Sequence, residues 1–476
     1  LYVTIDLSNL YVEYGDKTTT VKATVVDGDN SWSINYQLPA GESIDLIVYA
    51  DVASSAYSSS TTDTITVRAK VSGTTADSAT TVTEPSSGYR SGQTITFGTG
   101  TFTADISGDT PVAQIVTGGQ TITAAKFKFT ASYDDFTIKE MRVKVPSGSS
   151  SIIKQAILKD GDEIVATASY DSVNGYFHLT GVDGRELNVE IPANTTKVLT
   201  VDLELDTPTS DPAKGTSTSQ KNVAVTLDWI KYATSQGVET TDDTPGPNNT
   251  EPAGNAIYVY KAIPTFTYSS LSGSTFINGT ETDIYQFTVS AEGGSISIKQ
   301  LKLSVSWDDG GDGDDDTLEL ESFKIFKDGT QVTAVSITDA SGNSVASTSG
   351  LTESDSTLVI TFTNESVVGE GQTATYLIKA TPQGFGKSTT GSDGFSIRLP
   401  GDTSHNGTSV YLRDSNSDGI YGLATSATGS ETAANVIWSD NSALGHSTTN
   451  GSASNDWANS YLVKNLDLSS KGWVRQ

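Results

Sequence analysis

Sulfur and imidazole are scarce in this chain. Its 476 residues include no cysteine, one methionine and three histidines, His178, His405 and His446. The lack of cysteine excludes disulfide bonds, iron–sulfur clusters, thiolate zinc sites and cysteine nucleophiles. His405 and His446 stand among turn residues, which predicts surface loops. No histidine has a partner at a spacing typical of a catalytic triad.

Long apolar runs and basic residues are also in short supply. No run approaches the roughly 18 apolar residues that cross a bilayer, and no signal segment opens the chain. Because residue 1 is Leu rather than Met, we expect a processed or partial chain, in which a missing export signal says nothing about location. The net charge of −28 disfavours nucleic acid and anionic lipid as partners, and it attracts divalent cations.

The residues that are present favour β-strands. Ser, Thr, Gly, Asp and Val dominate over the Leu, Lys and Arg that fill helices. Runs of period two recur between Asp-Gly, Asn-Gly and Gly-Ser turns, as in AKFKFTAS (125–132), TVDLEL (200–205) and ATYLIKA (374–380). No stretch keeps a helical period for more than about two turns. The predicted fold class is therefore all-β.

One long segment occurs twice. Residues 126–145, KFKFTASYDDFTIKEMRVKV, match residues 285–305, YQFTVSAEGGSISIKQLKLSV, and a Lys-Asp-Gly hairpin follows each of them. We align Phe129 with Phe287, which requires a two-residue insertion before Ile298. The duplication predicts that the chain is built from copies of one module.

A later strand recurs as well. It reads IPANTTKVLTVDLEL at 191–205 and LPAGESIDLIVYADV at 38–52, with a looser third copy at 367–380. One face of the first two copies is apolar, as in a sandwich strand with one buried side. The residues on that face are Leu46, Val48, Leu199 and Val201.

These repeats predict tandem immunoglobulin-like β-sandwich domains. The expected units are 1–107, 108–265 and 266–400, followed by divergent C-terminal strands and loops, 401–476, that associate with the third unit. A repeat of about 150 residues is too long for a solenoid unit, so each module is expected to bury its own core.

The first unit is expected to lack its N-terminal strands. Its hairpin, VEYGDKTTTV (12–21), stands so near the start that little sequence remains for the strands equivalent to 126–145. We therefore predict an open sheet edge and an uncovered core face in this unit. Two explanations remain open: a chain trimmed at its N-terminus, or a strand supplied by a neighbouring chain.

An acidic run, WDDGGDGDDDTLELE (307–321), provides the first candidate metal site. Carboxylates crowded on a glycine-rich loop repel one another unless a hard cation is bound, and oxygen ligands on flexible backbone suit Ca²⁺. The alternative is a solvated acidic loop. The candidate ligands are Asp308, Asp309, Asp312, Asp314 and Asp316.

The segment RDSNSDGIYG (413–422) provides the second candidate. Asp414, Asn416 and Asp418 alternate before a glycine, as in the first half of an EF-hand loop, but the twelfth position is Thr425 instead of Glu. We therefore predict a calcium-binding loop of a β-domain rather than an EF-hand. The alternative is an ordinary Asp-Gly turn.

Other chemistry has weaker sequence support. The Gly-x-Ser-x-Gly elbow is missing, and TPQGFGKS (381–388) lacks the first glycine of a phosphate-binding loop, so we predict that the chain is not an enzyme. Tyr421, Trp438 and Trp457 could form a sugar-stacking platform. Alternatively, these aromatics plug sandwich ends or fill interdomain contacts.

Three longer phrases carry a resemblance to a known family: residues 110–132, residues 279–305 and the closing VIWSDNSALGHSTTNGSASNDWANSYLVKNL (436–466). They resemble repeated modules of large exported surface proteins from ultra-small uncultivated bacteria, with immunoglobulin-like domains and suspected surface-layer (S-layer) or adhesin-like roles. The resemblance covers most of residues 108–476 and supplies no catalytic residues.

Together with the resemblance, these features predict an extracellular, cell-surface structural protein, most simply an S-layer or similar subunit stabilised by Ca²⁺. Its expected partners are copies of itself in a lattice or filament and cell-envelope glycans. The alternative is an adhesin or filament subunit that binds a host surface, a glycan or a neighbouring chain. A third, weaker candidate is a secreted polysaccharide-active enzyme.

Overall fold

The fold is all-β, as predicted, and the described chain contains two tandem immunoglobulin-like sandwiches preceded by smaller sheets. The computed structural model describes residues 7–26, 28, 30–52, 63–97, 100–181, 185–211, 216–217, 219–310, 317–387, 391–407, 411–426, 429–443, 446–448 and 456–476. The described helices are the single 3₁₀ turns Ser150–Ile152 and Pro247–Asn249. No helix in this part of the chain has the length and apolarity needed to span a bilayer.

The described part of residues 7–97 forms one small sheet and two two-stranded antiparallel sheets. In the sheet β1 lies between β4 on one edge and β2 and β3 on the other, whereas β5 pairs with β8 and β6 pairs with β7. The strands are β1 (Leu7–Tyr14), β2 (Lys17–Thr18), β3 (Lys22–Thr24), β4 (Leu46–Val52), β5 (Asp63–Ala69), β6 (Val71–Thr74), β7 (Thr81–Glu84) and β8 (Arg90–Phe97).

The second unit is a sandwich that runs from β9 to β24. Its strands are β9 (Thr101–Ile106), β10 (Gln114–Thr117), β11 (Thr121–Ser132), β12 (Phe136–Lys144), β13 (Ile153–Asp160), β14 (Glu163–Ala168), β15 (Tyr170–Asp171), β16 (Tyr176–Leu179), β17 (Val189–Ile191), β18 (Thr195–Leu205), β19 (Ser210–Asp211), β20 (Thr216–Ser217), β21 (Lys221–Asn222), β22 (Thr226–Thr234), β23 (Glu239–Asp242) and β24 (Ile257–Tyr260). One sheet has the order β14-β13-β18-β11-β9 and the facing sheet β15-β16-β12-β22-β23, with β17 also on β12.

The third unit repeats this plan. Its strands are β25 (Ile263–Tyr268), β26 (Thr275–Phe276), β27 (Thr282–Glu292), β28 (Ile296–Asp308), β29 (Glu319–Lys327), β30 (Thr330–Gln331), β31 (Val335–Thr338), β32 (Leu351–Thr352), β33 (Thr357–Val368), β34 (Thr373–Gln383), β35 (Gly394–Arg398), β36 (Tyr411–Arg413), β37 (Gly422–Ala424), β38 (Glu431–Thr432), β39 (Val436–Ser439), β40 (Trp457–Asn459) and β41 (Lys471–Arg475). One sheet, β25-β27-β34-β29-β30, has the strand order of its counterpart read in reverse.

The duplication is confirmed, but its alignment needs a correction. β11 and β27 both carry a bulge, after Thr123 and after Asp283, and β12 and β28 carry another after Ile138 and Ile298. The interval between the two bulges is the same in both copies, so no insertion separates them. Phe287 therefore corresponds to Phe127, not to Phe129.

Each sandwich buries its own core, whereas residues 7–97 do not. Alternating apolar side chains of the facing sheets meet in two large clusters, one per sandwich, as the period of two requires. In the described part of residues 7–97 the buried side chains are Leu10, Tyr14 and Ile65, and none of them belongs to a core cluster.

One predicted boundary changes. Thr101–Ile106, assigned to the first unit by the 1–107 boundary, pairs with β11 and so belongs to the second sandwich. The tail 401–476 contributes β39 to β28 and β41 to β35 of the third sandwich. The connection between the two sandwiches is only two residues long, Lys261 and Ala262.

Candidate functional site

Only the first two candidate ligands of the first acidic loop lie within the described residues. Asp308 ends β28 and Asp309 follows it, both exposed. Asp312, Asp314 and Asp316 lie outside the described residues. A carboxylate that the sequence analysis missed stands beside this loop: Asp393 is fully buried and accepts hydrogen bonds from the amides of Gly310 (3.3 Å) and Gly386 (2.7 Å).

The second acidic loop connects β36 to β37. Asp414 accepts hydrogen bonds from the amides of Asp418 (3.2 Å) and Gly419 (3.0 Å), and Asp418 accepts one from Ile420 (2.9 Å). These are the bonds of an Asp-Gly turn. Asn416 and Asp418 are exposed. Among the described residues, no three acidic or histidine side chains converge as metal ligands, so calcium stays a prediction.

Of the three aromatics considered for sugar stacking, the two tryptophans lie inside the protein and Tyr421 is half-buried. Trp438 and Trp457 are 0% exposed, and their indole N–H groups donate to Asn459 O (2.8 Å) and Ser447 O (2.9 Å). Tyr421 covers the buried ammonium of Lys299, with 4.5 Å between its ring centroid and Nζ. The packing interpretation is confirmed for the two tryptophans, and neither offers a free ring face to a sugar.

A buried carboxylate joins the two sandwiches. Asp440, 0% exposed, accepts hydrogen bonds at Oδ2 from Ser219 Oγ (2.5 Å) and the Lys261 amide (2.8 Å), and at Oδ1 from Ser442 Oγ (2.6 Å). Ser219 belongs to the second sandwich and Lys261 to the connection. Burial raises the pKa of Asp440 to about 6, although these hydrogen bonds favour the ionised form.

Aromatic contacts surround this carboxylate. Tyr258 stacks on His405, with ring centroids 3.9 Å apart and planes inclined by 6°. Tyr260 packs against Trp438 at 4.9 Å and belongs to the core of the third sandwich, although its strand belongs to the second. We call the set of Tyr258, Tyr260, His405, Trp438 and Asp440 the junction. With a two-residue connection, it fixes the second sandwich against the third.

His446 contacts two carboxylates, one in the closing segment near the junction and one on β33 of the third sandwich. Its Nδ1 lies 2.9 Å from Asp456 Oδ2 and its Nε2 lies 2.6 Å from Glu365 Oε2 on β33. Burial alone would lower the pKa of His446, but the hydrogen bonds and charges of Asp456 and Glu365 outweigh it and raise the pKa to about 9. The imidazolium therefore ties the closing segment to the third sandwich.

His405 and His446 lie in loops, as predicted, but their side chains pack inward. Both side chains are only partly exposed, because each packs against aromatic rings: His405 on Tyr258 and His446 on Trp457 at 5.0 Å. Burial also lowers the pKa of His405 to about 4, so its ring is neutral at pH 7. The signal that could have found this cluster is the closing phrase 436–466, which contains two Trp, two Asp and one His.

The sheet of residues 7–52 exposes apolar side chains. Leu46 and Tyr49 are each 40% exposed and Ile47 is 50% exposed, all on β4. Among the described residues, β4 pairs only with β1, so its other edge is open. The incompleteness of the first unit stays a prediction, with which these described residues agree.

Comparisons with known proteins complete the description. No protein-family profile and no curated protein matches the chain. Among solved structures, it is similar to a serine-rich repeat adhesion glycoprotein from Streptococcus agalactiae (11% identity, 63% of this chain and 91% of that one, TM-score 0.16). It is also similar to the major pilin subunit of Bacillus cereus (10%, 87% of both chains, TM-score 0.19) and to the C-terminal domain of an antigen I/II-family protein from Streptococcus pyogenes (10%, 63% and 94%, TM-score 0.15). With TM-scores below 0.5, these likenesses carry no argument about function.

Proposed function

We propose that the chain is a structural subunit of an extracellular surface assembly, such as an S-layer, and has no catalytic role. The observation that carries the proposal is the junction: a two-residue connection and the buried Asp440 make one stiff body of the second and third sandwiches. A stiff body suits a subunit that must keep a fixed spacing to its neighbours.

Calcium is the second part of the proposal. Copies that each carry a charge of −28 repel one another, and bound cations reduce that repulsion. Oxygen atoms on the two acidic loops are suitable ligands for Ca²⁺. The residues assigned this role are Asp308, Asp309, Asp312, Asp314, Asp316, Asp414, Asn416 and Asp418.

A filament subunit or adhesin is the second candidate. The observation that favours a filament is the open edge of β4, because an edge strand can pair with a strand of the next subunit. Under this alternative the same stiff body transmits force along a fibre instead of spacing a layer.

Electron microscopy of the purified full chain tests the proposal. We expect sheets in millimolar Ca²⁺, their loss in chelator, and a lower melting temperature in chelator. The double variant Asp414→Asn, Asp418→Asn should weaken the response to Ca²⁺, whereas Glu163→Gln, on an exposed strand of the second sandwich, serves as a control of equal charge change per site. Fibres instead of sheets would favour the second candidate, and monomers under all conditions would contradict both.

A further inference from the structure

The outer face of one sheet of the second sandwich carries an arginine between aromatic rings. Arg142 on β12 lies opposite His178 on β16 and opposite Trp229 on β22, and all three side chains are partly exposed. The guanidinium carbon of Arg142 lies 4.1 Å from the ring centroid of Trp229 and 4.7 Å from that of Tyr176. His178 contacts both rings edge to face, at 6.3 Å and 6.0 Å between centroids. We call Arg142, Tyr176, His178 and Trp229 the arginine cluster.

The equivalent face of the third sandwich is used for packing. The shared bulges make Lys302 on β28 the counterpart of Arg142, and Lys302 lines one cleft with residues 433–435 of the tail. Two positions earlier, Gln300 is only 1% exposed, whereas 22% of the side chain of its counterpart, Glu140, is exposed. The second sandwich therefore presents to solvent a face that the third sandwich covers with the tail.

Arg142 lacks a carboxylate partner although the chain is strongly acidic. Three lysines on β12 and β22 already have partners: Lys139 with Glu186 (3.1 Å), Lys144 with Glu251 (2.6 Å) and Lys231 with Glu239 (2.9 Å). Among the described residues Arg142 forms neither an ion pair nor a hydrogen bond, and its Nε is buried without an acceptor. Because stacking on two rings fixes the plane of the guanidinium, its terminal N–H groups are oriented for a ligand.

The chemistry of the cluster matches a sugar that carries a carboxylate. Two parallel N–H groups of a guanidinium donate to the two oxygens of a carboxylate. Planar polar side chains bond sugar hydroxyls, and His178 and Glu140 provide such a pair, with 2.8 Å between Nε2 and Oε2. The aromatic rings add apolar surface for the C–H groups of a sugar ring. An extended peptide would instead need a free strand edge, and β12, β16 and β22 are each paired on both sides.

We propose that the arginine cluster binds an acidic polysaccharide, with Arg142 receiving the carboxylate of a uronic acid residue. The rings of Tyr176 and Trp229 hold the guanidinium in place and contact the sugar beside the carboxylate. The cluster shares no residue with the junction or with the acidic loops. The inference therefore goes beyond the surface-assembly proposal and stands without it.

Isothermal titration calorimetry of the full chain tests the site. The probes are oligogalacturonate and hyaluronan oligosaccharides, which both repeat a sugar carboxylate, and chelator in the buffer prevents Ca²⁺ from bridging them to the acidic loops. Because a chain of charge −28 repels polyanions, the titration uses about 0.15 M salt, at which exposed charges more than about 8 Å apart are screened. We expect saturable binding of both acidic probes and no binding of neutral galactan oligosaccharides of the same length.

Variants of Arg142 show whether the cluster is responsible. Arg142→Gln removes the charge and Arg142→Lys keeps it without the planar fork, so each should weaken binding about tenfold or more. Arg398→Gln, which removes the same charge from β35 of the third sandwich, is the matched control and should bind like the unsubstituted chain. Melting curves establish that each variant is folded.

An oligoglutamate peptide separates a sugar ligand from a polypeptide carboxylate, and we expect it not to bind. The inference would be overturned by absence of binding to both acidic probes, by equal binding of oligoglutamate or galactan, or by binding that Arg142→Gln leaves unchanged. Sheets and fibres are scored separately by microscopy, so none of these outcomes bears on the surface-assembly proposal.

Discussion

β4 and β18 have matching registers and similar sequences, yet the apolar side chains of β4 are exposed and those of β18 lie in a core. Leu46 and Leu199 occupy equivalent positions beside the same kind of hairpin, but only Leu199 has a strand on each edge and a second sheet across its face. The difference teaches that alternation specifies a strand and its faces, whereas burial depends on the neighbouring strands. The predictions below sharpen or break this comparison.

The largest effect is expected for Leu199→Ala. The residue is fully buried in the core of the second sandwich, so truncation leaves a cavity and should reduce the free energy of unfolding by about 2–5 kcal/mol. Denaturant unfolding followed by intrinsic fluorescence measures this loss. A change below about 1 kcal/mol would mean that β18 is not packed as described.

The junction is expected to show the next largest effect, and residues 7–97 have no counterpart to it among their described contacts. Asp440→Ala removes the buried carboxylate to which Ser219, Ser442 and the Lys261 amide donate hydrogen bonds, at a cost of about 2–3 kcal/mol. The variant should also unfold in two transitions, because the sandwiches lose their coupling. Asp440→Asn, which keeps one acceptor oxygen, is the matched control and should be milder.

The pairing of His446 with Asp456 and Glu365 predicts that the stability of the fold depends on pH. Its folded-state pKa of about 9 lies above the ordinary histidine pKa of 6.5, so its contribution is complete below pH 6.5 and is lost as the pH rises through 9. We expect stability to fall by on the order of 3 kcal/mol over this window. Melting curves between pH 6 and 10 measure it, and His446→Gln should flatten the profile. An equal slope in that variant would assign the effect elsewhere.

Asp440 adds a separate effect at lower pH. Its folded-state pKa is raised to about 6, so the neutral acid favours folding, and this contribution is lost as the pH rises from the ordinary aspartate pKa of 3.8 through 6. Asp440→Asn, which cannot ionise, should lack this step. Melting curves between pH 4 and 7 separate it from the step of His446, and a persisting step would contradict the assignment.

The smallest effect is expected for Leu46→Ala. Its side chain is exposed and belongs to no core, so the free energy of unfolding should change by less than about 0.5 kcal/mol. The difference between this loss in the free energy of unfolding and that of Leu199→Ala measures how much more β18 is buried than β4. Similar losses for the two leucines would show that β4 is covered.

Local features of the fold could be predicted from the sequence. Period-two alternation and Asp-Gly turns depend on residues close together in the chain, and they located β11, β18, β27 and the hairpins correctly. The alignment of Phe129 with Phe287 was wrong because it matched aromatic residues without the constraint of the bulges, which only strand pairing shows.

The junction could not be predicted because its partners are far apart in sequence. Ser219 and Asp440 are 221 positions apart, and no local pattern pairs them. His446 was misplaced for a related reason: turn residues around it indicate a loop correctly, but not that the loop folds back onto Glu365. The calcium ligands stay a prediction, since Asp312, Asp314 and Asp316 lie outside the described residues.

Amide hydrogen exchange of the monomeric full chain tests the central contrast most directly. Open edges with few buried contacts exchange through small local fluctuations, whereas core strands exchange only by large openings. We predict that Leu46–Val52 exchanges at least about 100-fold faster than Thr195–Leu205 in the same sample. Equal protection of the two strands would contradict the account, because it would show that β4 already has the neighbours of β18.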